Sequence, residues 1–220
     1  MIRFLTTKED EELPTFVITS VEEKYKNLWG KTREGFRMAY EELYEDFDWV
    51  MKADDDSYVV MENLRYLLSD QNASEPVWFG CEFKVIVKDG GYMSGGAGYV
   101  LSKESLRRFA TEALSNPAKC KTRQDQGYED VEMGKCLKNV GVRDGESRDN
   151  LGRSRFLPFT PGTHLGMRRW NSAGFWYWSY IEHEEQPVSG TLIVKDFTQV
   201  DYNSGKWFTY FDSFRGADLS

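Results

Sequence analysis

Histidine and cysteine are scarce in this 220-residue chain, which has His164 and His183 and the three cysteines Cys81, Cys120 and Cys136. Two imidazoles and no C-x-x-C pair leave no zinc ribbon and no redox motif. Long apolar runs are missing as well. No stretch approaches the roughly 20 consecutive apolar residues that cross a bilayer. Met1-Ile2-Arg3-Phe4 does not open a signal peptide, so the chain as given is expected to be soluble. An excess of positive charge is also absent: 28 Lys and Arg against 36 Asp and Glu leave a net charge of −8. That argues against nucleic acid as a partner and offers no polybasic patch to a membrane surface. Beyond Gly145 there is no internal repeat or low-complexity linker, and the length suits one domain with its own core.

What is present is aromatic. Seven Trp, 12 Tyr and 14 Phe supply flat apolar faces with polar edges, which serve protein cores and sugar rings alike. The acidity sets a problem for any anionic substrate, since the protein itself repels it. Asn72-Ala73-Ser74 is a glycan acceptor sequon if the chain enters the secretory pathway.

Ile2, Phe4 and Thr6 alternate as in a strand, and Thr15-Phe16-Val17-Ile18-Thr19 is a β-branched run. Ser20 with Glu23 reads as a capping box for a long amphipathic helix carrying Tyr25, Leu28, Trp29, Phe36 and Leu43. Asp48 to Ala53 reads as a buried strand that runs into Asp54-Asp55-Asp56, after which Val60, Leu64, Leu67 and Leu68 mark a helix. Val77 to Phe79 and Tyr99 to Leu101 are further strands, with a glycine-rich segment from Gly90 to Gly98 between them. Ser102 caps a helix that stops at Asn116-Pro117. Another helix begins near Glu129-Asp130 and ends at Gly141. This alternation predicts an α/β fold around a mostly parallel sheet. Beyond Gly145 the pattern is irregular.

Four features bear on chemistry. Asp54, Asp55 and Asp56 stand at the end of an apolar strand, where open α/β sheets place ligands. Three adjacent carboxylates repel one another unless a cation offsets them, and hard oxygen ligands suit Mg²⁺ or Mn²⁺. Such an ion would hold a diphosphate that the acidic protein otherwise repels. The alternative is a solvated turn with Asp56 capping the next helix. In Tyr92-Met93-Ser94-Gly95-Gly96-Ala97-Gly98 the positions without side chains admit a ligand close to the backbone, or make a tight turn or bulge. Glu129 and Asp130 at a helix start favour the helix dipole, and one of them, aimed at a substrate hydroxyl, would be a general base. Phe175-Trp176-Tyr177-Trp178 cannot all face one core, so part of that run meets solvent, a sugar or a partner. Cys120 and Cys136 flank Glu129-Asp130: in an oxidising lumen a disulfide between them braces that loop, and in a reducing compartment they are two buried thiols.

Together these segments resemble the β1,3-galactosyltransferases, most closely their core 1 branch. The matching residues are Trp49 to Val59 around the aspartate triplet, Phe79-Gly80, Gly91 to Lys103, Glu129-Asp130-Val131 with Gly134 and Cys136, Ser147-Arg148-Asp149, and Phe175 to Trp178. The likeness covers roughly residues 1–200. It implies a GT-A-type fold that uses UDP-galactose and Mn²⁺ to extend O-linked N-acetylgalactosamine on glycoproteins. Asp54 and Asp56 would then be metal ligands, with Asp54, Asp55, Gly95, Gly96 and Glu129 against the donor. Asp130 would be the catalytic base, and Tyr92, Trp176 and Trp178 would lie on the acceptor side. The family's setting is the Golgi lumen, as type II membrane proteins; a homodimer is left open.

Two departures from the family pattern stand out. The family carries a strand and helix before the position of Met1, with part of the uridine pocket, and a membrane anchor upstream of them. The chain therefore reads as an N-terminally truncated form or a diverged relative. Thr198 stands where the family has a metal-binding histidine, and a hydroxyl is a much poorer ligand for Mn²⁺. A second reading follows from these departures: a non-catalytic homologue acting as binding partner or chaperone of an active enzyme. A third is a β1,3-glycosyltransferase with another sugar.

Overall fold

The structure is a computed structural model. It describes residues 1–87, 90–166 and 175–181, and the backbone of 193–195 and 209–214, with residues 165–166 described by backbone alone. The elements, in chain order, are β1 (Ile2–Thr6), β2 (Thr15–Val17), α1 (Leu28–Leu43), β3 (Trp49–Asp54), β4 (Ser57–Val59), α2 (Met61–Ser69), β5 (Val77–Gly80), β6 (Glu82–Phe83) and β7 (Tyr92–Met93). They continue with β8 (Tyr99–Ser102), α3 (Lys103–Arg108), α4 (Glu129–Lys138), β9 (Arg143–Asp144), β10 (Phe156–Leu157), α5 (Pro161–Gly166), β11 (Ile193–Lys195) and β12 (Thr209–Phe214).

The main sheet has the order β2-β1-β12-β3-β8-β5-β9. It is mixed, which corrects the expectation of a mostly parallel sheet. Only β1–β2 and β5–β9 are parallel neighbours; β8 and β12 run against the strands on both their sides. Because β8 is antiparallel to both β3 and β5, those two strands share a direction, and Asp54 and Gly80 finish on one edge. The alternation of apolar runs showed which segments form strands but carried no information on their direction.

In β3, every residue from Trp49 to Ala53 is buried, as expected of a strand covered on both faces. Lys52 pairs with Tyr99 across the ladder, so both side chains project to one face. On that face α1 brings Phe36, stacked on Tyr99 at 6.1 Å, and Trp29 and Phe36 meet Phe109 at 6.4 and 6.0 Å. On the other face Trp49 meets Phe79 at 5.9 Å. Leu64, Leu67 and Leu68 of α2 belong to the same continuous core.

Several boundaries differ from the sequence reading. Ser20 and Glu23 do not cap α1; the helix opens at Leu28 after a 3₁₀ turn, and the Glu23 carboxylate instead pairs with Lys31 at 2.7 Å. The strand β4 intervenes between the aspartates and α2, drawn out by pairing with β11. Ser102 does cap α3, accepting from the Ser105 N–H at 3.1 Å, and the helix widens into a π-turn over Phe109–Ala113. Beyond Gly145 the chain forms β10, α5, β11 and β12, elements too short or too dependent on distant partners to show a period.

The loop before α4 is fixed from two sides. Trp29 donates its indole N–H to the Lys121 carbonyl at 2.8 Å, and Arg33 pairs with Asp125 at 2.8 Å. A disulfide joins Cys120 to Cys136, with Cα atoms 4.6 Å apart. Replacing both by alanine (Cys120→Ala with Cys136→Ala) is expected to lower the unfolding free energy by about 3 kcal/mol, the value for a closed loop of this size. A reduced unfolding free energy extrapolated to water from urea titrations, with a slope equal to or steeper than wild type because the unfolded chain is freed, is the measurement; an unchanged free energy refutes it.

Candidate active site

The carboxyl end of β3 carries the first acidic group. Asp54 Oδ1 lies 2.5 Å from Lys52 Nζ, and Lys52 is only 3% exposed. The chain then turns through Asp55 and Asp56 into β4, leaving Asp55 exposed and Asp54 and Asp56 half-buried. Asp55 also borders a mostly apolar cavity of about 320 Å³ floored by Phe4, Met51 and Met61.

The second acidic group begins α4. Asp130 Oδ2 accepts from the Gly95 N–H at 3.0 Å, and its Oδ1 accepts from the Val131 N–H at 2.8 Å. Glu129 is 8% exposed and turned inward, accepting from the Tyr99 hydroxyl and lying 3.5 Å from Lys52 Nζ. The glycine segment runs between the two acidic groups as a 3₁₀ turn over Gly95–Ala97. A Cβ on Gly95 would stand 2.8 Å from the Glu129 carboxylate, and Gly98 has φ +67° with only 2.8 Å between such a Cβ and the Lys52 carbonyl. Glycine here lets the backbone close over the charges. Gly96 is the partly exposed position of the turn.

Burial dominates the electrostatics. It opposes the Lys52 ammonium, but Asp54 and then Glu129 outweigh it and hold its pKa above the ordinary lysine value. Burial raises Glu129 to about 6 despite the attraction of Lys52. It also raises Asp130, partly offset by the Gly95 and Val131 N–H groups. The phenols of Tyr99 and Tyr92 are pushed up by burial, then by Glu129 and Asp130 respectively. The result is a half-buried carboxylate, Asp130, with raised basicity at the start of a helix, facing a glycine turn.

The structure thus brings Asp54, Tyr92, Gly95, Glu129 and Asp130 into one neighbourhood. Tyr92 packs on Phe83 at 5.7 Å, and Phe83 meets Trp176 at 6.0 Å and Tyr177 at 5.9 Å. Of the aromatic run, Tyr177 is fully buried, Trp178 is half-buried against the core and Trp176 is 48% exposed. Trp176 is therefore joined to the acidic site through Phe83 and Tyr92 rather than directly. His164 is buried among these rings: burial lowers its pKa to about 4, and its Nε2 accepts from the Phe159 N–H at 3.2 Å. Asn72 is exposed in a loop, its Oδ1 accepting from the Ser74 N–H. Thr198 and its segment lie outside the described residues. Lys52 and Tyr99 sit within the quoted motifs without an assigned role; a lysine inside an otherwise apolar strand was the available signal.

Among the described residues no group of three or more His, Cys, Asp and Glu is disposed to hold a metal ion. With Lys52 against Asp54, the aspartate turn offers one or two carboxylates. That donor set fits a hard divalent ion completed by substrate phosphates and water, and does not fit a protein-caged metal.

Residues 3–148 match the sequence profile described as Fringe-like, and the chain belongs to that family. It is 43% identical over 177 residues to the glycoprotein-N-acetylgalactosamine 3-beta-galactosyltransferase 1 of Xenopus laevis, covering 80% of this chain and 48% of that protein. It is 26% identical over 144 residues to the beta-1,3-glucosyltransferase of Mus musculus (64% of this chain, 28% of that one). Over 141 residues it is 26% identical to chondroitin sulfate synthase 3 of Homo sapiens (59% and 15%). The chain spans about half the length of the Xenopus relative.

The sign of one pH effect follows from Glu129. Its folded pKa, about 6, exceeds the ordinary 4.5, so between those values the folded state holds more proton than the unfolded. Stability from this group therefore falls as pH rises through the window and is level above it. The unfolding free energy of Glu129→Gln relative to wild type is expected to rise by on the order of 2 kcal/mol from about pH 4 to about pH 7. Urea titrations of both proteins measure this, and a difference that stays flat with pH contradicts it.

Proposed function

We propose that the chain is the catalytic part of an inverting β1,3-galactosyltransferase with a GT-A-type fold, acting on O-linked N-acetylgalactosamine of glycoproteins. The observation that carries the reading is Asp130, a half-buried carboxylate pinned by the Gly95 N–H beside a glycine turn and raised in pKa by desolvation. The likeness to the Xenopus 3-beta-galactosyltransferase, at 43% identity, favours galactose over glucose as the sugar.

In this reading the donor UDP-galactose lies along Gly95 and Gly96, its diphosphate at the aspartate turn. The acceptor sugar sits toward Tyr92, with Trp176 and Trp178 beyond. Asp130 accepts the proton of the acceptor 3-hydroxyl as that oxygen attacks the anomeric carbon from the face opposite UDP, so an α-linked donor gives a β-linked product. Desolvation raises the basicity of Asp130, and the two N–H bonds aim it. Asp56, with Asp54 as the second carboxylate, would hold Mn²⁺, and Asp55 would face the donor; the bound ion would neutralise charge on the diphosphate. Thr198 adds no strong ligand. The Cys120–Cys136 disulfide and exposed Asn72 sequon support a secretory lumen such as the Golgi.

In the full-length protein, Asp130→Asn is expected to lower galactose transfer to an N-acetylgalactosaminyl peptide by about 10³-fold while UDP affinity is kept. Wild-type protein that transfers no galactose, with or without Mn²⁺, would remove the basis of the proposal. Asp56→Asn is expected to weaken Mn²⁺-dependent UDP binding by at least about 10-fold in calorimetry, at roughly 1.4 kcal/mol per decade. Affinity equal to that of wild type excludes this metal site.

A further inference from the structure

Lys52 and Glu129 touch no group that reacts in the scheme above, yet they are the most deeply buried charges beside it. Lys52 is 3% exposed and Glu129 8%. We infer that they form a positioning pair which sets the distance and orientation between the aspartate turn of β3 and the Asp130 turn of α4, an inference that rests on the transferase reading.

Lys52 Nζ reaches both sides of the site, 2.5 Å from Asp54 and 3.5 Å from Glu129. It also lies 5.9 Å from the Tyr99 ring centroid, whose hydroxyl donates to Glu129. The strand, β8 and the helix start are thereby tied at one ammonium. Gly95, whose N–H holds Asp130, closes over this point so tightly that a Cβ there would lie 2.8 Å from Glu129 and 3.6 Å from Lys52 Nζ. A displaced Glu129 therefore moves the Gly95 turn and Asp130 with it. An apolar pair of similar volume would fill the same space without the desolvation cost of two charges. It would leave Asp54 and Asp130 without the cation between them. The arrangement favours precise carboxylate placement over stability.

The test uses the full-length protein and the variants Glu129→Gln, Lys52→Met, their double combination and Tyr99→Phe. Glu129→Gln is expected to lower kcat for galactose transfer by about 100-fold, the scale of a misplaced reacting group. KM for UDP-galactose should rise far less than kcat falls, because the diphosphate contacts at the aspartate turn are kept while the Gly95 turn that lines the donor shifts. The double variant should be no slower than Lys52→Met alone, since both substitutions break one link. Exchange of the Gly95 amide should quicken by about 10-fold in Glu129→Gln and Tyr99→Phe while Val100 and Leu101 stay protected. Tyr99→Phe keeps both charges, so it remains informative if Lys52→Met does not fold. Losses that multiply in the double variant, or Gly95 exchange equal to wild type, overturn the inference. Wild-type protein without turnover defeats the transferase reading instead, and the exchange comparison still decides the positioning pair.

Discussion

The Lys52 ammonium sits in a strand whose neighbouring residues from Trp49 to Ala53 are apolar and buried. An isolated charge there would be too costly to keep, and it persists because Asp54 and Glu129 lie against it. The dependence is mutual. Asp54, Glu129 and Asp130 gather within one small region of an acidic protein, and without a cation among them their repulsion would drive the β3 and α4 ends apart. The closeness of the glycine turn and the inward set of Glu129 both follow from that single positive charge.

A second layer holds the helix that brings two of those carboxylates. Trp29 and Arg33 of α1 grip the loop that precedes α4, and the Cys120–Cys136 disulfide joins that loop to the helix itself. Phe36 on the same helix stacks on Tyr99, whose hydroxyl reaches Glu129. One amphipathic helix thus supports both the loop and the phenol, far in sequence from the acidic residues they serve.

Much of this was legible from residue order. The apolar run before Asp54, the cap at Ser102 and the start of α4 at Glu129 are each marked by local pattern, and the combination of segments carries the resemblance to the β1,3-galactosyltransferases. Other parts were not. Ser20 and Glu23 fit the spacing of a capping box, but Glu23 found Lys31 instead. The sheet looked parallel because strand and helix alternate along the chain; β8 and β12, inserted in reverse, made it mixed. Short strands such as β4 and β11 exist through pairing with each other, a contact no window of sequence contains.

The sequence by itself determined which segments are apolar, where the acidic groups and glycines fall, and which family shares that order, because those properties are carried by local composition and spacing. Tertiary structure alone decided that Lys52 neutralises Asp54 and Glu129, that Tyr99 donates to Glu129, and that Gly95 presents its N–H to Asp130. These partners are distant along the chain and meet only when strand register and helix packing are fixed, and burial then sets the strength of each charge.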